Sequence, residues 1–197
     1  MLRRSLLKRL MPWNPDTRSV PTCSNHPIRN IVDPFMTSAR DALVRMSDLL
    51  SDIGDDVYQF QSQLSPGGTV GGHFRHCIEF YQCLWEGLDT GCIDYDSRRR
   101  EVEIELSPVI ARRAAERILA EAWPEFESRS NGMPLRVRDS LAEWQASSLG
   151  RELGFAFSHT IHHLALISVL LRECGLEVSL ETVVAPSTAR HMCKQAT

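Results

Sequence analysis

An all-α fold, a four-helix bundle with one small β-hairpin between helices, is what this sequence predicts. Three observations lead there. Four long stretches carry apolar residues at three- and four-residue steps, two of them open on capping pairs (Asp33-Pro34, Ser107-Pro108), and two short runs alternate instead. Helices that each bury a single stripe pack together as a bundle. With 43% hydrophobic and 24% charged residues, a chain of 197 residues has ordinary globular composition and can bury a full core.

Residues 1–32 read as an extended N-terminal arm. MLRRSLLKRL is basic and leucine-rich, with no acidic residue before Asp16. That pattern suits either an organelle-targeting presequence or a frayed start, and it lacks the apolar centre of a secretory signal. The expected localisation is cytoplasmic, with mitochondrial as the alternative if the basic start is a targeting segment. Pro12, Pro15, Pro21 and Pro27 then forbid regular structure.

The bundle should occupy 33–197. Its first helix begins at Asp33-Pro34, a capping residue with proline at the first helical position. Ala39, Ala42, Leu43, Met46, Leu49/Leu50, Ile53 and Val57 carry its stripe over about six turns. SPGG at 65–68 breaks the chain. Thr69 caps the second helix, which runs to near Gly91 with Val70, Cys77, Tyr81, Leu84, Trp85 and Leu88 on its apolar side. His73, His76, Phe80 and Cys83 form another line along it. Val102, Ile104 and Leu106 alternate with Glu103 and Glu105, a strand-like signal. It is expected to pair with the alternating 135–138 segment, Glu103 and Glu105 facing Arg136 and Arg138. Between them the third helix opens at Ser107-Pro108 and ends at Trp123-Pro124. The fourth starts at Ser140 or Ser147 and stops at Glu173, before Gly175, leaving a short extended segment and a polar tail.

Composition also excludes several roles. A formal charge of −3 gives no general basic field, so nucleic acid is not an expected partner. No apolar run approaches membrane-spanning length, Ala165–Leu171 being too short, so no membrane partner is expected. Six cysteines without a single C-x-x-C, several of them in helices, point to reduced thiols rather than a disulfide framework.

The chemistry concentrates in LGRELGFAFSHTIHHLALISVLL, Leu149 to Leu171. At 100° per residue, His159 and His163 lie one turn apart on one line, with Leu166 and Leu170 continuing it, so both imidazoles should point inward. Two histidines at that spacing offer two nitrogens to one metal ion. Alone, the pair reads equally as a polar patch on a core helix. The second cluster, His73-x2-His76, strengthens the metal reading. His76 with His159 and His163 would leave an open coordination position, as in catalytic sites, and three imidazoles suit zinc, nickel, iron or cobalt better than magnesium or calcium. His73 replaces His76 if the second helix is rotated. Glu152 falls within about 20° of the histidine line. It reads either as an acceptor that orients His159 or His163 through the second ring nitrogen, or as a surface partner of Arg151 or Arg172. His162, about 60° off the line, reads as a packing or outer residue. Asp94, Tyr95, Asp96, Arg98, Arg99 and Arg100 form a charged run. It is either a solvated loop or a rim that grips an anionic substrate.

Four segments, TVGGHFRHCIEFYQCL, GLDTGCIDYDSRRR, GRELGFAFSHTIHHLALI and VAPSTAR, resemble the DinB/YfiT-like metalloenzyme superfamily from about Asp33 to Met192. The resemblance implies an up-down-down-up four-helix bundle with a three-histidine divalent metal site, its ligands falling on His76, His159 and His163. It also implies a low-molecular-weight thiol as co-substrate, since members include bacillithiol S-transferases and a mycothiol-dependent isomerase. A homodimer through bundle faces would fit the superfamily. The expected function is a metal-dependent thiol S-transferase acting on a small molecule. The alternatives are metal-assisted hydrolysis by the same site, or a non-catalytic, metal-binding bundle associated with stress.

Overall fold

The computed structural model describes residues 34–62, 68–139 and 143–179, all within one compact unit. The expected N-terminal arm, the Asp33 cap, most of the SPGG break, Ser140 and the VAPSTAR segment lie outside the described residues.

The architecture is mostly helical, with a small three-stranded sheet. Helix α1 spans Pro34–Ser51, and Met36, Ala39, Ala42, Leu43, Met46 and Leu50 form its buried face. The continuous helix expected through Val57 is interrupted. Gly54 takes an extended conformation, and a short α2, Asp55–Tyr58, follows. Ile53 stays buried and Val57 packs on the core, so the apolar rhythm carries on after the backbone has left the helix. Glycine is a poor helix former, and the break falls there.

Helix α3 spans Val70–Glu86 and is capped by Thr69, whose hydroxyl accepts from the Gly72 amide at 2.9 Å. It ends a turn earlier than expected, and Gly91 at φ 67° turns the chain into strand β1, Cys92–Asp94. A single 3-10 turn, Tyr95–Ser97, comes next.

Residues 102–106 correct the reading from alternation. They form a helix, α4, in which Ile104 is buried while Val102 and Leu106 stand exposed one turn apart. The expected hairpin partner is therefore absent. Strand β2, Pro134–Arg138, runs parallel to β1 and antiparallel to β3, Gln145–Ser148. The charges are redistributed to match. Glu105 pairs with Arg75, and Arg138 with Asp94.

Helix α5, Pro108–Arg117, starts at the expected Ser107 cap. It passes through one π-helical turn, Ile118–Ala122, into α6, Trp123–Ser128, and so continues past Pro124. A widened turn accommodates a residue that lacks an amide donor, and burial of Trp123 and Phe126 holds the continuation in place.

Helix α7, Leu149–Glu173, begins at the Ser148 cap and ends against Gly175 at φ 78°. It packs against α1 and α3, while α5 packs against α1 and α3 as well. Contrary to the expectation that no segment reaches that length, α7 is long and apolar enough to cross a membrane by length and composition. Here Leu149, Leu153, Ala156, Leu164, Ile167, Leu170 and Leu171 are buried in the core. Cys77, Cys83, Cys92 and Cys174 are free thiols, as expected of them.

The approach of α4 to α3 depends on Gly71. A Cβ there would meet the Glu105 carbonyl oxygen at 2.0 Å and the Tyr58 ring at 2.6 Å. Gly71→Ala is expected to destabilise by about 1–3 kcal/mol, lowering the thermal midpoint by roughly 2–4 °C per kcal/mol. Gly54→Ala, with nothing within 4 Å of the added methyl, should stay within about 0.5 kcal/mol of wild type. Equal melting curves for the two variants would refute the tight α3–α4 contact.

Candidate metal centre

Where α3 crosses α7, His76 faces His159 and His163. One nitrogen from each of the three rings lies within 4.8 Å of the other two. The ring centroids stand 4.8 Å apart for His76–His159, 4.7 Å for His76–His163 and 4.5 Å for His159–His163. The two helices thus bring together the three residues singled out from the sequence. Among the described residues, no other group of three metal-ligating side chains converges in this way.

The surroundings are aromatic. Phe80, one turn after His76, touches His76 and His159 at centroid distances of 4.9 and 4.4 Å. Phe155, one turn before His159, stacks on that ring at 5.5 Å. The half-buried imidazoles are hard to charge in this setting. Burial, reinforced by His159 and Arg98, lowers His76 to about 4. Burial, with His162 and Arg98 nearby, does the same for His159, to about 4. His163 falls to about 3 through burial and then the adjacent His159 and His76. All three rings are therefore neutral at pH 7, with lone pairs free to bind.

The donor set fits a divalent transition ion. His159 Nε2 is buried with no hydrogen-bond partner in the protein, which an ionic ligand would remedy. His73 takes a different position from His76. Its Nδ1 lies 2.9 Å from His163 Nδ1, so one ring donates and the other accepts. His73 is thus set to orient His163, and burial lowers its pKa too. His162 is exposed and touches only the edge of the cluster, at 5.4 Å from His163. Leu166, expected to continue the inward stripe, is 37% exposed, while Leu170 is buried.

Of the two readings of Glu152, the acceptor for an imidazole fails, and the pairing with Arg151 holds but on a buried carboxylate. The side chain is fully buried, at 0% exposure, so it is no surface partner. Its carboxylate accepts from the Tyr95 hydroxyl at 2.8 Å, from Arg151 Nη1 at 2.6 Å and from the Ser147 hydroxyl, rather than from an imidazole. At i and i+7 on one helix it shares the histidines' face, but it sits two turns away, against the sheet.

The charged run separates residue by residue. Asp94 caps the 3-10 turn, accepting from the Asp96 amide and Ser97, and Arg138 holds its carboxyl down at about 2. Tyr95 is buried, its ring stacked on Phe80 at 4.8 Å. Arg98 lies over the Phe80 ring at 4.5 Å and donates to the Tyr95 carbonyl. Arg99 is 61% exposed and pairs with Glu86 at 2.6 Å. Arg100, at φ 52°, bonds only local carbonyls, including that of the half-buried Asp96. Only Arg98 reaches the histidine surroundings, which corrects the picture of three arginines on one rim.

Sequence reasoning passed over Glu79. It is 2% exposed, accepts from the Glu101 amide at 2.8 Å and lies 3.9 Å from both Arg75 and Arg98. Burial raises its pKa. Its position three residues after His76 was the available signal.

No protein-family model matches the chain. A segment of 49 residues is 47% identical to FK506-binding protein 5 of Rhizopus delemar. That segment is 25% of this chain and 13% of the relative, so the chain spans a small fraction of the protein it matches. A likeness of this extent assigns no family.

An unfolded chain takes up protons on these histidines near 6.5, whereas the folded chain does so only near 3 to 4. Acid therefore favours the unfolded state throughout that interval, and the stability present at neutral pH is lost as pH falls from about 6.5 toward 4. Urea midpoints of chelator-treated protein should decline across this window. The decline should be much shallower when His76, His159 and His163 are all replaced by Gln. An unchanged slope in the triple variant would mean that the rings are not held as neutral, half-buried bases.

Proposed function

We propose that the protein is a metal-dependent enzyme built on a DinB-like up-down-down-up four-helix bundle, and that it transfers a low-molecular-weight thiol to a small-molecule acceptor. The observation that carries this reading is the convergence of His76 from α3 with His159 and His163 from α7. The bundle reading is supported by the four long helical segments, α1, α3, α5 through α6, and α7.

In this reading His76, His159 and His163 hold one zinc, nickel or iron ion, which when bound supplies Lewis acidity that favours thiolate over thiol near neutral pH. The chain's own residues do the rest. His73 fixes the orientation of His163 through the Nδ1–Nδ1 hydrogen bond. Phe80 and Phe155 exclude water from one flank of the rings. Arg98, over the Phe80 ring, adds positive charge beside the cluster, where an anionic sulfur would be favoured. The metal-assisted hydrolase and the non-catalytic bundle use the same three ligands. A thiol-loss assay with an electrophilic acceptor separates them from the transferase.

Elemental analysis of protein purified without added metal should find about one first-row divalent ion per chain. His159→Ala should abolish binding, and His76→Ala should lower occupancy more than His73→Ala, because His73 touches a ligand rather than the ion. A full metal complement in His159→Ala, or loss of metal from the His73 variant alone, would overturn the ligand assignment.

A further inference from the structure

Beyond the histidines, on the sheet side of Phe155, lies a cleft of about 430 Å³, within the size range of small-molecule sites. Tyr95, Arg138, Asp139, Arg151, Glu152 and Phe155 are among the residues that line it. Phe155 is its wall toward the cluster, since the same ring stacks on His159 at 5.5 Å. Cleft and histidines are thus separated by one aromatic side chain.

The lining is unusual in its charges. Two guanidiniums, Arg138 and Arg151, face two carboxylates, Asp139 and Glu152, so the cleft as a whole favours neither sign. Glu152 is held rigidly, fully buried and bonded to Tyr95, Ser147 and Arg151. Buried as it is, this carboxylate acts on the cleft through its charge. Arg151 is 64% exposed, and its guanidinium's one hydrogen bond among the described residues, to Glu152, leaves most of its five N–H donors available. Arg138 donates to Asp94 through one terminal nitrogen, while its Nε is buried with no hydrogen-bond partner. The side chain as a whole is 41% exposed, so the outer edge of the guanidinium, rather than the enclosed Nε, is open to a ligand oxygen.

A purely anionic ligand would sit against Glu152 and Asp139, and a purely cationic one against the arginines. We propose that this cleft binds a small zwitterion of amino-acid type, its carboxylate on Arg138 and Arg151 and its ammonium toward Glu152, with its far end reaching past Phe155 to the histidine cluster. The last clause rests on the metal-centre reading above; the charge selectivity does not.

Three thiols that differ by one charged group test it: L-cysteine, cysteamine (no carboxylate) and 3-mercaptopropionate (no ammonium). Each is titrated calorimetrically into the purified protein, with metal content measured on the same sample. L-Cysteine is expected to bind at least tenfold more tightly than either analogue, the factor that a lost charge-assisted hydrogen bond carries. Arg138→Gln should erase the preference over cysteamine while leaving the metal content unchanged. Equal affinity for all three thiols, or no measurable binding of any, overturns the proposal, and so does a folded Arg138→Gln protein that keeps the full preference. The ligand series needs no variant, so a misfolded Arg138→Gln protein leaves the decision with the wild-type ratios. A preference for L-cysteine in protein without metal upholds the cleft and sinks the metal centre. Metal-loaded protein without the preference sinks the cleft alone.

Discussion

The register between α3 and α7 is the constraint on which the site depends. It is held in the core by a polar bridge as well as by packing. The Tyr81 hydroxyl reaches the Ala39 carbonyl of α1 at 3.3 Å and receives the Thr160 hydroxyl of α7 at 3.4 Å. Tyr81 and Thr160 are almost fully buried, so a slip of one residue between α3 and α7 would break the hydroxyl–hydroxyl bond in an apolar setting. Thr160 directly follows His159 in the chain, and Tyr81 follows Phe80. The bridge therefore fixes, by covalent adjacency, which ring of α3 meets which ring of α7.

Around that register the protein keeps four imidazoles half-buried and uncharged. Phe80 and Phe155 pack against His76 and His159, and the fixed charges acting on these rings are Arg98 and, on His76, Arg75 as well. Placing a cation rather than a carboxylate next to the rings disfavours imidazolium and keeps nitrogen lone pairs available. Glu152 and Tyr95 are drawn off into a separate network against the sheet, and among the described residues the rings bond to no carboxylate. The division between a basic, aromatic pocket and a charged, polar cleft runs along Phe155.

Much of this was legible in the sequence because helical geometry is local. The His159–His163 line, the Thr69 and Ser107 caps and the stop at Gly175 each follow from residues within a turn or two, while the last helix is capped by Ser148, one residue beyond the expected Ser147. The failures arose where tertiary context decided. Val102, Ile104 and Leu106 alternate, yet only Ile104 finds a core to enter, so a helix with two exposed apolar side chains prevails over a strand. Val57 kept the period of α1 across Gly54, and periodicity alone does not register a backbone break. Pro124 should have ended a helix, but the π-helical turn before it absorbed the missing donor. Glu152 shares the histidines' face on a helical wheel. A wheel has no axial coordinate for distant partners, so it could not assign that carboxylate to Tyr95, 57 residues away in sequence.

The proposed chemistry turns on one ion held by nitrogen from His76, His159 and His163. X-ray absorption at the metal edge of the purified protein tests it most directly. Ligation by these rings requires a first shell of nitrogen and oxygen at about 2.0–2.1 Å, with the outer-shell scattering of about three imidazoles. A shell dominated by sulfur near 2.3 Å, or a metal without imidazole scattering, would contradict it.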